Sequence, residues 1–251
     1  MSMPDANTPI IGYDNLLLDG TSSGDGTNPE NAYDGYTHDA WTTGAASGYL
    51  RAILGGTVNC NYYAVCGHDI YTQTGDCKMQ YWTGGAYADC PGSAYTPVDN
   101  NVFVVTFPTV ASTRFQFIAQ NLDAAADIAV VSFGEYLQLE RGVTAGYAPP
   151  QWMRRTTLYN AGTQSGAFLG RSVVRTGTAG QIVLAHCTEE WVRTDLLDFV
   201  SESEDHGWFL QWAPRDHETE TAYCWTTKQP EPRYEANGFA EVTIGYEGVT
   251  S

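Results

Sequence analysis

The stretch NVFVVTF, residues 101–107, decides the fold because it is apolar at nearly every position. Successive side chains of a β-strand point to opposite faces, so a strand with one solvated face alternates apolar and polar residues. A nearly continuous apolar run instead predicts a central strand that is covered by protein on both faces.

Further strand-like segments precede and follow this run, each rich in aromatic and aliphatic residues. Roughly eight strands within about 125 residues are typical of an antiparallel sandwich or jelly roll. We therefore predict a mainly β protein that begins with a β-sandwich jelly roll. The segments that carry this prediction are GYLRAIL (48–54), YYAVCGHDI (62–70), CKMQYWTGG (77–85), RFQFIAQN (114–121) and IAVVSFGEYLQLE (128–140).

The segment RGVTAGYAPPQWMRR, residues 141–155, predicts a connector between two domains. Its adjacent prolines, Pro149 and Pro150, cannot join a central strand and make the chain stiff. We expect a β-sandwich over residues 1–145 and a small α+β domain over residues 146–251, in which one helix packs on an antiparallel sheet.

The helix is predicted within TEEWVRTDLLDFVSESEDHG, residues 188–207. Thr188 can cap its start, and Gly207 can end it. Val192, Leu196 and Phe199 recur at helical spacing, which indicates one apolar face.

Charge and hydropathy exclude several classes of function. The chain carries 29 acidic and 12 basic residues, a formal charge of −17, which disfavours binding to nucleic acid or to an anionic membrane. No stretch approaches the ~18 apolar residues of a membrane span, so we expect no membrane insertion. The N-terminal residues lack a basic region and a long apolar run, so we expect no signal peptide and expect assembly in the cytoplasm.

Six cysteines leave three interpretations open. Four of them lie within residues 60–90, but their spacing is not the paired C-x2-C of a zinc ribbon. Buried free thiols are favoured over disulfides, and disulfides over a metal site.

The corner AYDGYTHDAW, residues 32–41, is the most conspicuous polar motif. Asp34 can accept a hydrogen bond from the backbone two residues on, and the next residue is a glycine suited to a left-handed turn. Trp41 is expected to pack in the core, so a structural role is favoured. The alternative is a sugar-binding rim in which His38 and Asp39 form hydrogen bonds and Tyr36 stacks on the sugar.

The loop DGTSSGDGTNPE, residues 19–30, concentrates oxygen donors. It has no flanking helices and poor ligands at the intermediate positions, so it is not an EF-hand. Asp19, Asp25 and Glu30 are candidate ligands of a structural calcium ion, and a plain hydrophilic loop is the alternative.

The sequence contains no convincing catalytic constellation, and we expect no enzymatic activity. His186 and Cys187 are neighbours on a predicted strand, so their side chains should point to opposite faces and cannot form a nucleophile–base pair.

The first half of the chain resembles the galactose-binding-like, or discoidin-type, jelly-roll family. The matching pieces are NLLLDG, AYDGYTHDAW, VCGHDI, MQYWTGG and VVSFGEYLQL, in that order across residues 15–140. The resemblance implies a sandwich whose end loops bind sugars and which sometimes includes a structural calcium ion.

The second half, residues 150–251, is similar to minor or distal tail proteins of tailed bacteriophages. The matching pieces are FLGRS, GWFLQWAP, AYCWTT and AEVTIGYEG. This resemblance implies an oligomeric structural protein of the virion tail, with other tail proteins and cell-surface glycans as partners in host adsorption. Trp208, Trp212 and Tyr246 are then candidate subunit contacts, with core packing as the alternative.

Two further functions stay open at this stage. One is a free, lectin-like carbohydrate-binding protein, and the other is an accessory module of a glycan-degrading enzyme.

Overall fold

The computed structural model describes residues 8–175 and 177–251. Within these ranges the chain forms fifteen strands, three α-helices and two short 3-10 helices, Pro29–Ala32 and Ala236–Gly238. The helices are α1 (Leu16–Asp19), α2 (Glu189–Thr194) and α3 (Leu196–Asp205). The strands are β1 (Ile10–Gly12), β2 (Thr21–Gly24), β3 (Trp41–Thr42), β4 (Ser47–His68), β5 (Asp76–Trp82), β6 (Tyr87–Asp89), β7 (Phe103–Gln120), β8 (Asp127–Gly134), β9 (Leu137–Gln138), β10 (Thr157–Gly162), β11 (Phe168–Arg175), β12 (Thr178–Thr188), β13 (Trp208–Gln211), β14 (Thr221–Tyr234) and β15 (Phe239–Val249). None of the helices in the described ranges has the length and apolar character needed to cross a membrane.

Seven strands form one antiparallel sheet that folds over on itself as a sandwich. Its order is β3-β8-β4-β7-β5-β6, and β2 pairs with the first half of β4. The long strands β4 and β7 pair along most of their length, with register breaks between Ile53 and Val58 and between Cys60 and Tyr62. Before these breaks β4 lies beside β2, and after them it lies beside β8. The predicted mainly β fold with a jelly-roll sandwich is confirmed.

The half-sheet formed by the end of β4, the start of β7 and β8 is buried on both faces. Phe103 and Phe107 of the opening stretch belong to the sandwich core, whereas Val102 and Val104 belong to a second core that also contains Phe209 of β13. The predicted strand covered on both faces is therefore confirmed for residues 103–107, since β7 begins at Phe103 and not at Asn101. We call this half-sheet the middle layer.

A second antiparallel sheet covers the far side of the middle layer. Its order is β12-β15-β14-β13-β1-β9. Neighbouring residues of β13 serve its two faces: Phe209 packs against the middle layer, and Trp208 and Leu210 pack into a third core with the helices.

The predicted helical segment forms, but it divides into α2 and α3 at Asp195. The hydroxyl of Thr188 accepts a hydrogen bond from the Trp191 amide at 3.4 Å, as predicted for its cap. Leu196 and Phe199 are buried against the second sheet.

Sheet membership does not follow the predicted division at residue 145. β1 pairs with β13 and with β9, so residues 10–12 and 137–138 belong to the sheet that also holds β12 to β15. Ile10 faces the middle layer and Ile11 faces the helices, and neither has any exposed surface. Sequence order alone does not reveal this exchange, because both segments are short and pair with distant strands.

Asp14, just after β1, ties the two sheets together. Its carbonyl oxygen accepts a hydrogen bond from the Tyr62 hydroxyl at 2.6 Å, and its Oδ2 accepts one from the Glu135 amide at 2.8 Å. Burial is the main reason that the pKa of the Asp14 carboxyl is raised to about 6; the carboxylates of Asp19 and Glu202 add to this effect, and the hydrogen bond from the Glu135 amide opposes it.

The contact between the middle layer and the second sheet should contribute strongly to stability. We expect Phe209→Ala to lower the free energy of unfolding by about 3 kcal/mol, because it leaves a cavity between two layers. Leu197→Ala is the control, since Leu197 is 59% exposed on α3. Chemical denaturation measures both variants, and equal losses for the two would contradict a tightly packed junction.

Asp14 should make stability depend on pH. A folded-state pKa raised from 3.8 to about 6 means that the neutral carboxyl is stabilised by folding, and this stabilisation is lost as the pH rises through 6. Asn can still accept the Glu135 amide without carrying charge. Asp14→Asn should therefore be more stable than wild type at pH 8, by on the order of 2 kcal/mol, and equal to it below pH ~3.8.

Denaturant unfolding across this pH range is the measurement. Asp34→Asn is the matched control, because the exposed Asp34 carboxylate also accepts a backbone N–H, that of Tyr36 at 2.9 Å. A difference between Asp14→Asn and wild type that does not change with pH would contradict the assignment.

Candidate functional site

The AYDGYTHDAW corner is built largely as predicted. Asp34 Oδ1 accepts the Tyr36 amide, and Gly35 has a φ of +84°, a backbone conformation that favours glycine. The Trp41 side chain is fully buried, and its Nε1 donates to the Asp25 carbonyl at 2.6 Å. The structural interpretation therefore holds for the turn and for the tryptophan.

The three predicted ligand-binding residues lie together at this corner. Tyr36 is 61% exposed, and its ring centroid is 5.5 Å from that of His38. His38 Nδ1 lies 3.8 Å from Asp39 Oδ1, which is itself buried and accepts no hydrogen bond from the described residues. The corner offers two exposed rings, but this carboxylate oxygen is not accessible to a ligand. Sugar binding here stays a prediction.

The three predicted calcium ligands are not gathered into one ligand set. Across residues 8–175 and 177–251, no three His, Cys, Asp or Glu side chains converge as a metal would require. Asp19 ends α1, Glu30 lies in a 3-10 helix, and Asp25 Oδ1 accepts the Tyr49 amide at 2.7 Å. Asp25 therefore supports the loop, and the calcium ion stays a prediction.

The cysteines follow the favoured interpretation. All six are free and buried, and burial raises the pKa of the Cys66 thiol to about 12, which keeps it protonated.

His186 is exposed whereas Cys187 is buried, so the two point to opposite faces as predicted.

The predicted subunit contacts require correction. Trp208 and Tyr246 have essentially no exposed surface, and their rings meet edge to face at 5.9 Å in the core under the helices. The half-buried Trp212 stacks on His217 and donates to Glu220 Oε2 at 2.7 Å. Trp208 and Tyr246 pack inside one chain because they lie on the helix-facing side of the second sheet, and they cannot contact another subunit.

A cleft of about 660 Å³ lies between the sandwich, β9 and the helices. Tyr13, Trp191 and several carboxylates line it, including Asp14 and Asp198. Burial, reinforced by these carboxylates, raises the pKa of Tyr13 to about 12. The cleft is negatively charged and would repel an anionic ligand.

A different surface combines aromatic rings with positive charge. It is the solvent side of the half-sheet made by β2, the first half of β4, the end of β7, β5 and β6. Cross-strand pairing places Arg51 beside Gln116, and Gln116 beside Gln80. We call this surface the aromatic–arginine face and define it by Tyr49, Arg51, Trp82, Tyr87 and Arg114.

The rings and guanidinium groups of this face form a continuous row. The Arg51 guanidinium lies 4.8 Å from the centroid of the Tyr49 ring and 4.9 Å from that of Tyr87. Tyr87 meets Trp82 edge to face at 5.2 Å, and the Arg114 guanidinium lies 5.1 Å from the Trp82 ring. These distances are those of cation–π contacts, which hold both arginines against the sheet.

Polar neighbours complete the face. Arg51 donates from Nε and Nη2 to Gln116 Oε1, at 3.1 and 2.8 Å. Lys78 pairs with Asp89 at 3.1 Å, and Gln80 also donates a hydrogen bond to this carboxylate. The pKa of Asp89 is therefore lowered, chiefly by the Gln80 hydrogen bond and further by Lys78.

Sequence reasoning missed this face, although its signal is present. GYLRAIL and CKMQYW alternate, which puts Tyr49 with Arg51, and Gln80 with Trp82, on one side of each strand. The first 140 residues contain three basic residues, which are Arg51, Lys78 and Arg114. All three lie on the solvent side of this half-sheet. The register that brings the strands together was the missing information.

The solved structures that this chain resembles each match about half of it. No protein-family model and no curated protein matches the chain. Among solved structures, a pectin-binding carbohydrate-binding module has 13% identity and a TM-score of 0.38, over 46% of this chain and 89% of its own. CpGH89CBM32-5 from Clostridium perfringens, in complex with GalNAc-β-1,3-galactose, has the same identity and TM-score. The match covers 46% of this chain and 94% of that chain. Chitosan-binding module 2 from a Paenibacillus sp. IK-5 chitosanase/glucanase, in complex with chitotriose, has 14% identity and a TM-score of 0.39. The match covers 48% of this chain and 100% of the module. At these values the similarities carry no inference about a ligand, and none of the three is described as a tail protein.

Proposed function

We propose that the protein binds carbohydrate through the aromatic–arginine face of its jelly roll. The observation that carries this proposal is the row of three rings, Tyr49, Trp82 and Tyr87, on one solvent-facing layer. Aromatic rings offer an apolar face to the C–H groups of a sugar, and neighbouring polar groups fix its orientation. Here Gln80 lies beside the rings and offers its amide oxygen to a sugar hydroxyl, whereas the buried Gln116 holds the Arg51 guanidinium in place.

This face suits a glycan better than the sequence-predicted corner does. The face is carried by paired strands, so its rings are held in fixed positions, as a binding constellation requires. The corner presents only Tyr36 and His38 from a turn, beside an Asp39 oxygen that is buried. The corner is therefore the second candidate location for the same function.

A structural role in an assembly is supported by a different observation. The hairpin of β10 and β11 pairs with no other strand in the described residues, and a lone two-stranded hairpin is marginally stable in water. Phe168 and Leu169 are 68% and 67% exposed on it, and Tyr159 is 66% exposed. Phe168 and Leu169 are consecutive on β11, and a subunit contact would cover both of these exposed apolar side chains. This hairpin replaces Trp208 and Tyr246 as the contact expected of a tail protein or another oligomer.

Trp82→Ala should weaken glycan binding about tenfold, since one stacked ring contributes on the order of 1.4 kcal/mol. Binding is measured by affinity electrophoresis against neutral and acidic polysaccharides, with thermal melting as the check that the variant folds. Trp152→Ala is the matched control, because Trp152 is 77% exposed away from the face. Loss of binding in a Tyr36→Ala/His38→Ala variant, with Trp82→Ala unaffected, would move the site to the corner. No binding to any polysaccharide would contradict the function.

The hairpin predicts self-association. Sedimentation should give a mass above the 27.4 kDa of one chain, and Phe168→Ser/Leu169→Ser should return it to the monomer value. Leu197→Ser changes an exposed leucine on α3 and should leave the mass unchanged. A monomeric wild-type protein at high concentration would contradict self-association.

A further inference from the structure

The positive charge of the aromatic–arginine face contrasts with the rest of the protein. The whole chain has a formal charge of −17, yet the three basic residues of its first 140 positions lie together on this face. At physiological ionic strength, charges more than about 8 Å away are largely screened. A ligand at the face therefore experiences mainly the local charges.

Two of these local charges are not neutralised. Lys78 is paired with Asp89, but no ion pair among the described residues involves Arg51 or Arg114. The Arg114 side chain rests on Trp82, with no side-chain hydrogen bond in the described part of the chain. A guanidinium group stacked on a ring still presents its N–H groups at its edge, and this planar fork matches a carboxylate.

The remaining acidic groups near the face are already engaged. Asp25 accepts the Tyr49 amide, Asp76 accepts a hydrogen bond from Asn121 Nδ2 at 2.9 Å, and Asp89 accepts from Gln80 and Lys78. Both guanidinium groups therefore lack a carboxylate partner among the described residues, although Arg51 already donates to Gln116 Oε1. The edge-to-face pair Tyr87 and Trp82 separates them.

From this arrangement, and resting on the proposed carbohydrate binding, we infer that the face selects an anionic glycan whose sugar rings carry carboxylates. A sugar stacks on Trp82 or Tyr87, and its carboxylate accepts hydrogen bonds from Arg114 or Arg51. The repeat of ring and guanidinium along the row suits a linear uronic-acid polymer, in which each ring carries one charge.

The test uses the full chain and two forms of one polymer. Oligomers of polygalacturonate and of fully methyl-esterified polygalacturonate share their sugar rings and differ in charge. Isothermal titration should show at least tenfold tighter binding of the charged form at 50 mM NaCl, and a smaller difference at 500 mM NaCl. Equal affinity for the two forms would overturn charge selection and leave carbohydrate binding standing. If the protein binds neither form and also binds no neutral polysaccharide, both proposals are overturned.

Substitutions of single arginines test which side chain gives the preference for the charged form. Arg114→Gln should weaken binding of the charged form more than binding of the esterified form and so reduce the preference, and Arg114→Lys should retain part of that preference because it keeps charge without the fork. Arg215→Gln, at an exposed loop arginine, is the control. Equal losses in Arg114→Gln and Arg215→Gln would overturn the assignment. A sulfated galactan that binds with the same dependence on Arg114 would support anion selection with sulfate in place of carboxylate.

Discussion

The structure depends on one constraint, which is that the middle layer has apolar side chains on both faces. Tyr63 and Phe103 point into the sandwich, while Tyr62 and Val104 point away from it. Exposing either set to water costs roughly 25 cal/mol for each Å² of apolar surface, so both faces have to be covered. The second sheet covers one face, and the outer half of the jelly roll covers the other.

This stacking leaves the aromatic–arginine face as the outermost surface of the sandwich. Its inner side is fixed by core residues such as Phe115 and Phe117, which alternate along β7 with Arg114 and Gln116. The strand that carries the rings and cations is therefore held by buried neighbours. A surface arranged in this way loses little conformational entropy when it binds, which favours recognition of a flexible polymer.

Features that depend on local sequence were predictable. The doubly covered strand that begins at Phe103, the Thr188 cap and the Asp34 turn all follow from patterns within a few positions, and each is confirmed. Features that depend on distant pairing were not predictable. The union of β1 with β13 and the burial of Trp208 both result from register and layer order. The candidate site belongs to the second group, because its residues come from four strands.

The central claim is that glycan binds at the aromatic–arginine face, and mapping the contact surface by NMR tests it most directly. Polygalacturonate oligomers are titrated into protein labelled with 15N, and the backbone amide, indole N–H and arginine Nε–H signals are followed. The account predicts that Trp82, Arg51 and Arg114 shift together, while Trp191 in the acidic cleft and Trp212 beside His217 do not. Shifts confined to the cleft or to the Tyr36 corner, with Trp82 unchanged, would contradict it.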